Sequence, residues 1–170
     1  MNINQYIKKV SIKLSLFLLL KIKAMRKRSY PFNSVLIIDN EDHDLFIAGK
    51  MFALKKAAKE IHAEKSTDAA IALIKKLHTP PELVLIDFIA NDYELIKFLR
   101  EFHNLPKDRT NNCKIVIQSA LLDYYDDEVE NALCYDNVVM AMPKPMDEDS
   151  MQIIIDLKKE DQHSSFRSNA

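Results

Sequence analysis

Short apolar runs separated by segments of helical period recur along this chain, and that alternation restricts the fold more than any other feature. Val35-Leu36-Ile37-Ile38, Leu83-Val84-Leu85-Ile86, Ile115-Val116-Ile117 and Val138 to Met142 read as strands buried on both faces, the pattern of a parallel sheet. Strands are predicted over Ser34–Ile38, Glu60–Glu64, Glu82–Ile86, Lys114–Gln118 and Val138–Met142, with the second the weakest signal. Between them, Asp42–Lys56 places Leu45, Ala48 and Phe52 on one helical face, and Asp68–Leu77 repeats Ala70, Leu73, Ile74 and Leu77 behind a cap at Ser66 or Thr67. The segment Asp92–Phe102 buries Leu95, Ile96, Phe98, Leu99 and Phe102; a polar loop follows from Asn104 to Asn112. Asp123–Leu133 and Asp147–Leu157 complete the helices. The expected fold is α/β, (βα)5: a three-layer α/β/α arrangement on a five-stranded parallel sheet with right-handed crossovers.

With 170 residues, the chain is long enough for one core and short for two. Its single glycine, Gly49, excludes both the GxxxxGK[ST] phosphate loop and the GxGxxG dinucleotide turn. Phosphate chemistry must then proceed without a glycine-rich cradle. Cys113 and Cys134 form no CxxC or Cys/His cluster and read as buried, reduced thiols of a cytoplasmic protein, with no zinc site.

Charge is divided unevenly. Residues 1–30 hold eight Lys/Arg and no acids, which leaves 16 basic and 25 acidic side chains in the rest. So acidic a domain lacks the basic footprint that nucleic-acid binding needs. The apolar stretch Leu14 to Leu20 is far short of the ~20 residues of a membrane-spanning helix. Residues 1–32 read as a basic and apolar extension ahead of the domain: a disordered arm, or sequence upstream of a start at Met25. A surface anchor and a degenerate signal peptide are the other readings, and membrane attachment is not expected. The domain is expected over 33–158, with a polar tail over 159–170 too short for an attached effector domain.

Two of the apolar runs end in an acid, Asp39 and Asp87. In open α/β sheets ligands bind beyond the carboxyl ends of the strands, so the two carboxylates are expected to share one crevice. They would repel each other unless a cation or a proton joined them, and Lys144, after the last apolar run, is placed to do so. That constellation suggests a magnesium-assisted, phosphoryl-accepting aspartate.

The segments Val35-Leu36-Ile37-Ile38-Asp39, Leu83-Val84-Leu85-Ile86-Asp87, Ile115-Val116-Ile117-Gln118-Ser119-Ala120 and Lys144-Pro145 fall in that order, each at or just past a strand end. Together they resemble the receiver domains of two-component response regulators, over about Asn33 to Ile155. The resemblance implies the flavodoxin-like (CheY-like) strand order and Asp87 as phosphoacceptor. It also implies Mg2+ as cofactor, held by Asp39, Asn40, Asp87 and the backbone carbonyl of Ile89. Ser119 and Lys144 would bind and sense the phosphoryl group. Pro145, in a cis peptide, would hold the lysine inward. Each residue also has a plainer reading: Asp87 as a helix cap, Ser119 as a satisfied strand end, Lys144 as a solvated cation.

The chain departs from that pattern in several places. Asn40 stands where the family carries a second acid, so Mg2+ affinity should fall; Glu41 and Asp42 are nearby acids that would offset the loss. Ala141 occupies the position of the family's aromatic switch, which excludes tyrosine-type gating there. Phe88-Ile89-Ala90-Asn91-Asp92 lacks the usual proline and glycine after the acceptor. The acidic run Asp39 to Asp44 is not an EF-hand, because it has no glycine at the turn and no closing acid.

The resemblance implies a single-domain response regulator of a phosphorelay, a regulatory phosphoprotein rather than a conventional enzyme. Its partners would be a histidine kinase or histidine phosphotransfer protein and a downstream protein target. A homodimer would form through the face of the fourth helix, fifth strand and fifth helix. The alternative is a pseudo-receiver, the same fold used as a constitutive interaction module with little or no phosphorylation. An aspartate-dependent phosphatase would require a second acid two residues after Asp87, where Ile89 stands.

Overall fold

The computed structural model describes residues 30–88, 93–120 and 127–167 together with Ser15, with side chains described as far as Lys158. The chain runs β1 (Phe32–Ile38), α1 (Asp42–Leu54), β2 (Ala58–Glu64), α2 (Thr67–Lys76), β3 (Leu83–Asp87), α3 (Glu94–His103), α4 (Lys107–Thr110), β4 (Lys114–Ser119), α5 (Asp127–Leu133), β5 (Val138–Pro143) and α6 (Glu148–Arg167). The five strands form one parallel sheet in the order β2-β1-β3-β4-β5. The expected α/β sandwich and strand order are therefore present.

Alternate side chains along each central strand enter opposite cores, as the two-residue strand period requires. Leu36, Ile38, Val84, Ile86, Ile115 and Ile117 pack with Ile74, Leu95, Phe98 and Phe102 from α2 and α3. Val35, Ile37, Leu83, Leu85 and Val116 pack with Phe52 of α1 and with Met151 and Ile154 of α6. Burial on both faces explains why β1, β3 and β4 read as unbroken apolar runs. On β2, at the sheet edge, Lys59 and Glu60 are exposed; its weak signal follows from this position. It begins two residues earlier than expected, because Ala58 pairs with Phe32.

Local chemistry sets the element ends. Ser66 caps α2, its hydroxyl accepting from the Ala69 amide at 3.2 Å. Helix α1 stops at Leu54, two residues short of expectation. Lys56 turns left-handed (φ 51), and the Lys56 and Ala57 amides donate to the carbonyls of Ala53 and Phe52, a Schellman ending made without the usual glycine. The loop Asn104 to Asn112 contains the short helix α4, whose Arg109 guanidinium donates to the Leu77 carbonyl beyond the end of α2. Helix α6 continues past the expected end at Leu157 to Arg167; 158–167 contains neither proline nor glycine to stop it.

Some expectations fall elsewhere. Cys113 is buried, but Cys134 is exposed, just past the end of α5, and both thiols are free. Ile96 is half-buried rather than buried. Residues 1–14, 16–29, 89–92, 121–126 and 168–170 lie outside the described residues. With them lie most of the basic extension, the metal-ligand call at Ile89 and the expected helix starts at Asp92 and Asp123. Among the described residues, no helix is long and apolar enough to cross a membrane.

Candidate functional site

The sheet order reverses direction at β1, whose neighbours are β2 on one side and β3 on the other. Such a switch point opens a crevice at the carboxyl ends of the strands. Asp39 follows β1 and Asp87 ends β3, so the two acids flank that crevice. Lys144 comes directly after β5, its amide donating to the Ser119 carbonyl at 2.9 Å. The Lys144–Pro145 peptide is cis.

The Lys144 ammonium lies 2.6 Å from Asp39 Oδ2, 2.7 Å from Asp87 Oδ1 and 2.9 Å from Asp44 Oδ2. The side chains of Asp39, Asp87 and Lys144 are 5%, 10% and 12% exposed, against 31% for Asp44. Three carboxylates thus surround one cation, an excess of two negative charges when all are ionised. Burial raises the Asp87 pKa; Lys144 opposes the rise without cancelling it, and Asp39 and Asp44 add to it. Burial would lower the Lys144 pKa, but its hydrogen bonds to Asp39, Asp87 and Asp44 hold it above the ordinary lysine range. The lysine therefore remains charged at neutral pH.

Beside this cluster lies a cleft of about 210 Å3, where Asp39, Asn40 and Asp87 face Lys65, Thr67 and Glu94. The Glu94 carboxylate is fixed there by the Thr67 hydroxyl, and Lys65 pairs with Asp42 at 2.7 Å. No group of three or more His, Cys, Asp or Glu side chains among the described residues is arranged to hold a metal ion. Mg2+ does not need one: it retains several waters and is commonly bound through one or two carboxylates. The hard oxygens of Asp39, Asp87 and the Asn40 amide, lining one acidic cleft, fit that requirement.

The remaining expected residues are placed as follows. Ser119 is buried at the end of β4, one position past Gln118, which pairs with Asp87 in the sheet register. Glu41 is exposed, and its backbone amide, not its carboxylate, reaches Asp39, at 2.9 Å from Oδ1. Ala141 packs against the core on the α2–α3 side. Tyr93, which precedes α3, is exposed. Pro143 ends β5 on the sheet edge, where the missing amide hydrogen is tolerated.

Sequence reasoning missed two participants. Asp44 was passed over in favour of Asn40, Glu41 and Asp42, yet it alone among the α1 acids reaches Lys144. Side chains of a first helical turn tilt towards the amino terminus, here back over the end of β1, but the sequence does not fix the packing angle that brings this one to Lys144. Gln118, buried at 5% exposure and next to last on β4, lines a small cavity with Asp44 and Lys144.

No family model and no curated protein matches this sequence. Solved structures do match the fold. A two-component response regulator from Cytophaga hutchinsonii aligns at 19% identity and a TM-score of 0.65, covering 76% of this chain and 98% of that one. A response regulator receiver protein from Dyadobacter fermentans aligns at 19% identity and 0.61, covering 75% and 95%. The fold is that of a response-regulator receiver domain. A third receiver domain, from a sensor histidine kinase of Pseudomonas aeruginosa, aligns at 14% identity and 0.57 over 72% of this chain and 93% of that one. That structure is described with a magnesium ion coordinated in its active-site cleft.

Proposed function

We propose that this chain is a response-regulator receiver that accepts a phosphoryl group on Asp87 with Mg2+. The observation that carries the reading is the Asp39–Asp87–Lys144 cluster, buried at the switch point and opening on an acidic cleft. An Asp87 oxygen forms the new O–P bond as the P–N bond of a phosphohistidine, or the P–O bond of acetyl phosphate, breaks. The imidazole leaves with the bonding pair and takes up a proton; acetyl phosphate releases acetate. Bound Mg2+ would neutralise charge on the carboxylate and the phosphoryl oxygens, and Asp39, Asn40, Asp87 and the carbonyl of Ile89 would hold it. Lys144 supplies a fixed cation beside the accepting oxygen, and Ser119 offers a hydroxyl from β4 to the phosphoryl group.

The partners of this reading are a histidine kinase or phosphotransfer protein and a downstream protein target, in the cytoplasm. Leu133 of α5 and Val139 of β5 are exposed, which supports protein contact, a homodimer included, through the α5–β5–α6 face. The domain would regulate rather than turn over a substrate. A constitutive interaction module is the second reading, favoured by one observation: three protein carboxylates already satisfy Lys144.

Incubation with acetyl phosphate and Mg2+, followed by intact-mass measurement, separates the two. A phosphoryl adduct that needs Mg2+ and is lost in Asp87→Asn is expected. No adduct at saturating donor would leave the constitutive module.

A further inference from the structure

The Lys144 ammonium has three N–H donors, and all three are engaged, one each by Asp39, Asp44 and Asp87. Nothing is left over for a phosphoryl oxygen. Bonding one requires Lys144 to release a carboxylate, and the three are not equivalent. Asp39 is nearly sealed from solvent and closest, at 2.6 Å. Asp87 is the acceptor itself. Asp44 is the most exposed and the farthest, at 2.9 Å, so it loses least on release.

A second observation indicates where Asp44 goes. Gln118 Nε2 is buried and, among the described residues, has no acceptor, a costly condition for an amide donor. Gln118, Asp44, Lys144, Pro145 and Met146 line one small cavity of about 10 Å3, on the order of the space one water needs. Asp44 and the unpartnered Gln118 therefore border the same space. We infer that Asp44 is a positioning residue acting through Lys144: on phosphorylation its carboxylate passes from Lys144 to Gln118, and the exchange is felt by α1.

The inference rests on the proposed phosphorylation of Asp87. It gives the site a two-state element that does not depend on the aromatic position occupied by Ala141. The Lys144–Asp44 pair favours the resting state, and the Gln118–Asp44 pair favours the phosphorylated one.

The two contacts make predictions of opposite sign, using beryllofluoride with Mg2+ as the phosphoryl analogue. Asp44→Asn removes the charge that pairs with Lys144 but keeps a side-chain oxygen able to accept from Gln118, so the resting state loses more and beryllofluoride should bind more tightly, by on the order of tenfold, within the usual range of coupling between sites. Gln118→Met removes the receiving donor, which has no resting acceptor among the described residues, so binding should weaken by a similar factor. Amide NMR shifts in α1 should follow beryllofluoride in the unaltered protein and shrink in Gln118→Met. Binding of the analogue with both variants unchanged, or shifted in the same direction, overturns the inference and leaves the phosphoacceptor standing. If the unaltered protein does not bind beryllofluoride, the proposed function fails and the inference with it.

Discussion

Replacing Lys144 by methionine keeps an unbranched stem of similar reach and deletes the charge at the centre of the cluster. In the folded state Asp39, Asp44 and Asp87 would then share a confined space with no counter-cation. Each Lys144 contact is 2.9 Å or shorter, and Asp39 and Asp87 are at most 10% exposed. The loss therefore belongs with broken buried ion pairs, about 3–5 kcal/mol, and not with surface pairs, about 0.2–1 kcal/mol. For a domain of this size that corresponds to a fall in Tm of about 6–20 °C, at roughly 2–4 °C per kcal/mol. Urea denaturation followed by circular dichroism measures it directly. The deficit should be largest at neutral pH and should shrink as the pH falls through the carboxylate range, because protonated acids need no cation. Asp87→Asn in the same chain should recover part of it, a non-additive result expected of groups in contact. A loss below about 1 kcal/mol at neutral pH, within the range of exposed pairs, would refute the reasoning: the lysine would not be holding the acids together.

Three further outcomes follow from the same geometry. Because burial raises the Asp87 pKa above its ordinary 3.8, the folded state binds that proton more tightly than the unfolded chain. Ionised Asp87 thus costs stability once the pH exceeds the raised value. Asp87→Asn should be more stable than the parent at neutral pH, with the gain fading as the pH falls towards 3.8, as denaturation across pH would show. Lys56→Gly should raise stability by about 1 kcal/mol, since Lys56 is held in the left-handed region (φ 51) that only glycine enters without penalty; a lower Tm would contradict this. Mg2+ binding at Asp39 and Asp87 should raise Tm with metal concentration by mass action, and Asp39→Asn should remove the rise.

The strands buried on both faces were the most readable, although β5 was legible too from an edge position with Val139 exposed. β1, β3 and β4 lie inside the sheet, and their unbroken apolar runs carry the positions of Asp39 and Asp87; the strand order was implied by the resemblance to receiver domains. β2 sits at an edge with exposed Lys59 and Glu60, so burial left only a faint pattern there. The short α4 shows little apolar repeat because Arg109 ties it to the end of α2 by hydrogen bonding. Helix α6 extends past Leu157 on backbone propensity, which apolar periodicity does not register. Within the site, residues on strand ends were predictable because their backbone places them. Asp44 reaches Lys144 from a helix packed against the sheet, so its role depends on the angle between elements, not on spacing within one. Gln118 looked like strand filler; its meaning comes from a cavity formed by three separate segments.

A phosphoryl group carried on Asp87 can be trapped at that residue. Borohydride reduces an acyl phosphate to the alcohol, so an aspartyl phosphate trapped this way becomes homoserine at the modified position. After incubation with Mg2+ and acetyl phosphate, peptide mass mapping should place homoserine at position 87 and nowhere else, and only when both reagents are present. Aspartate unchanged at 87, or homoserine at another acid, would contradict the account.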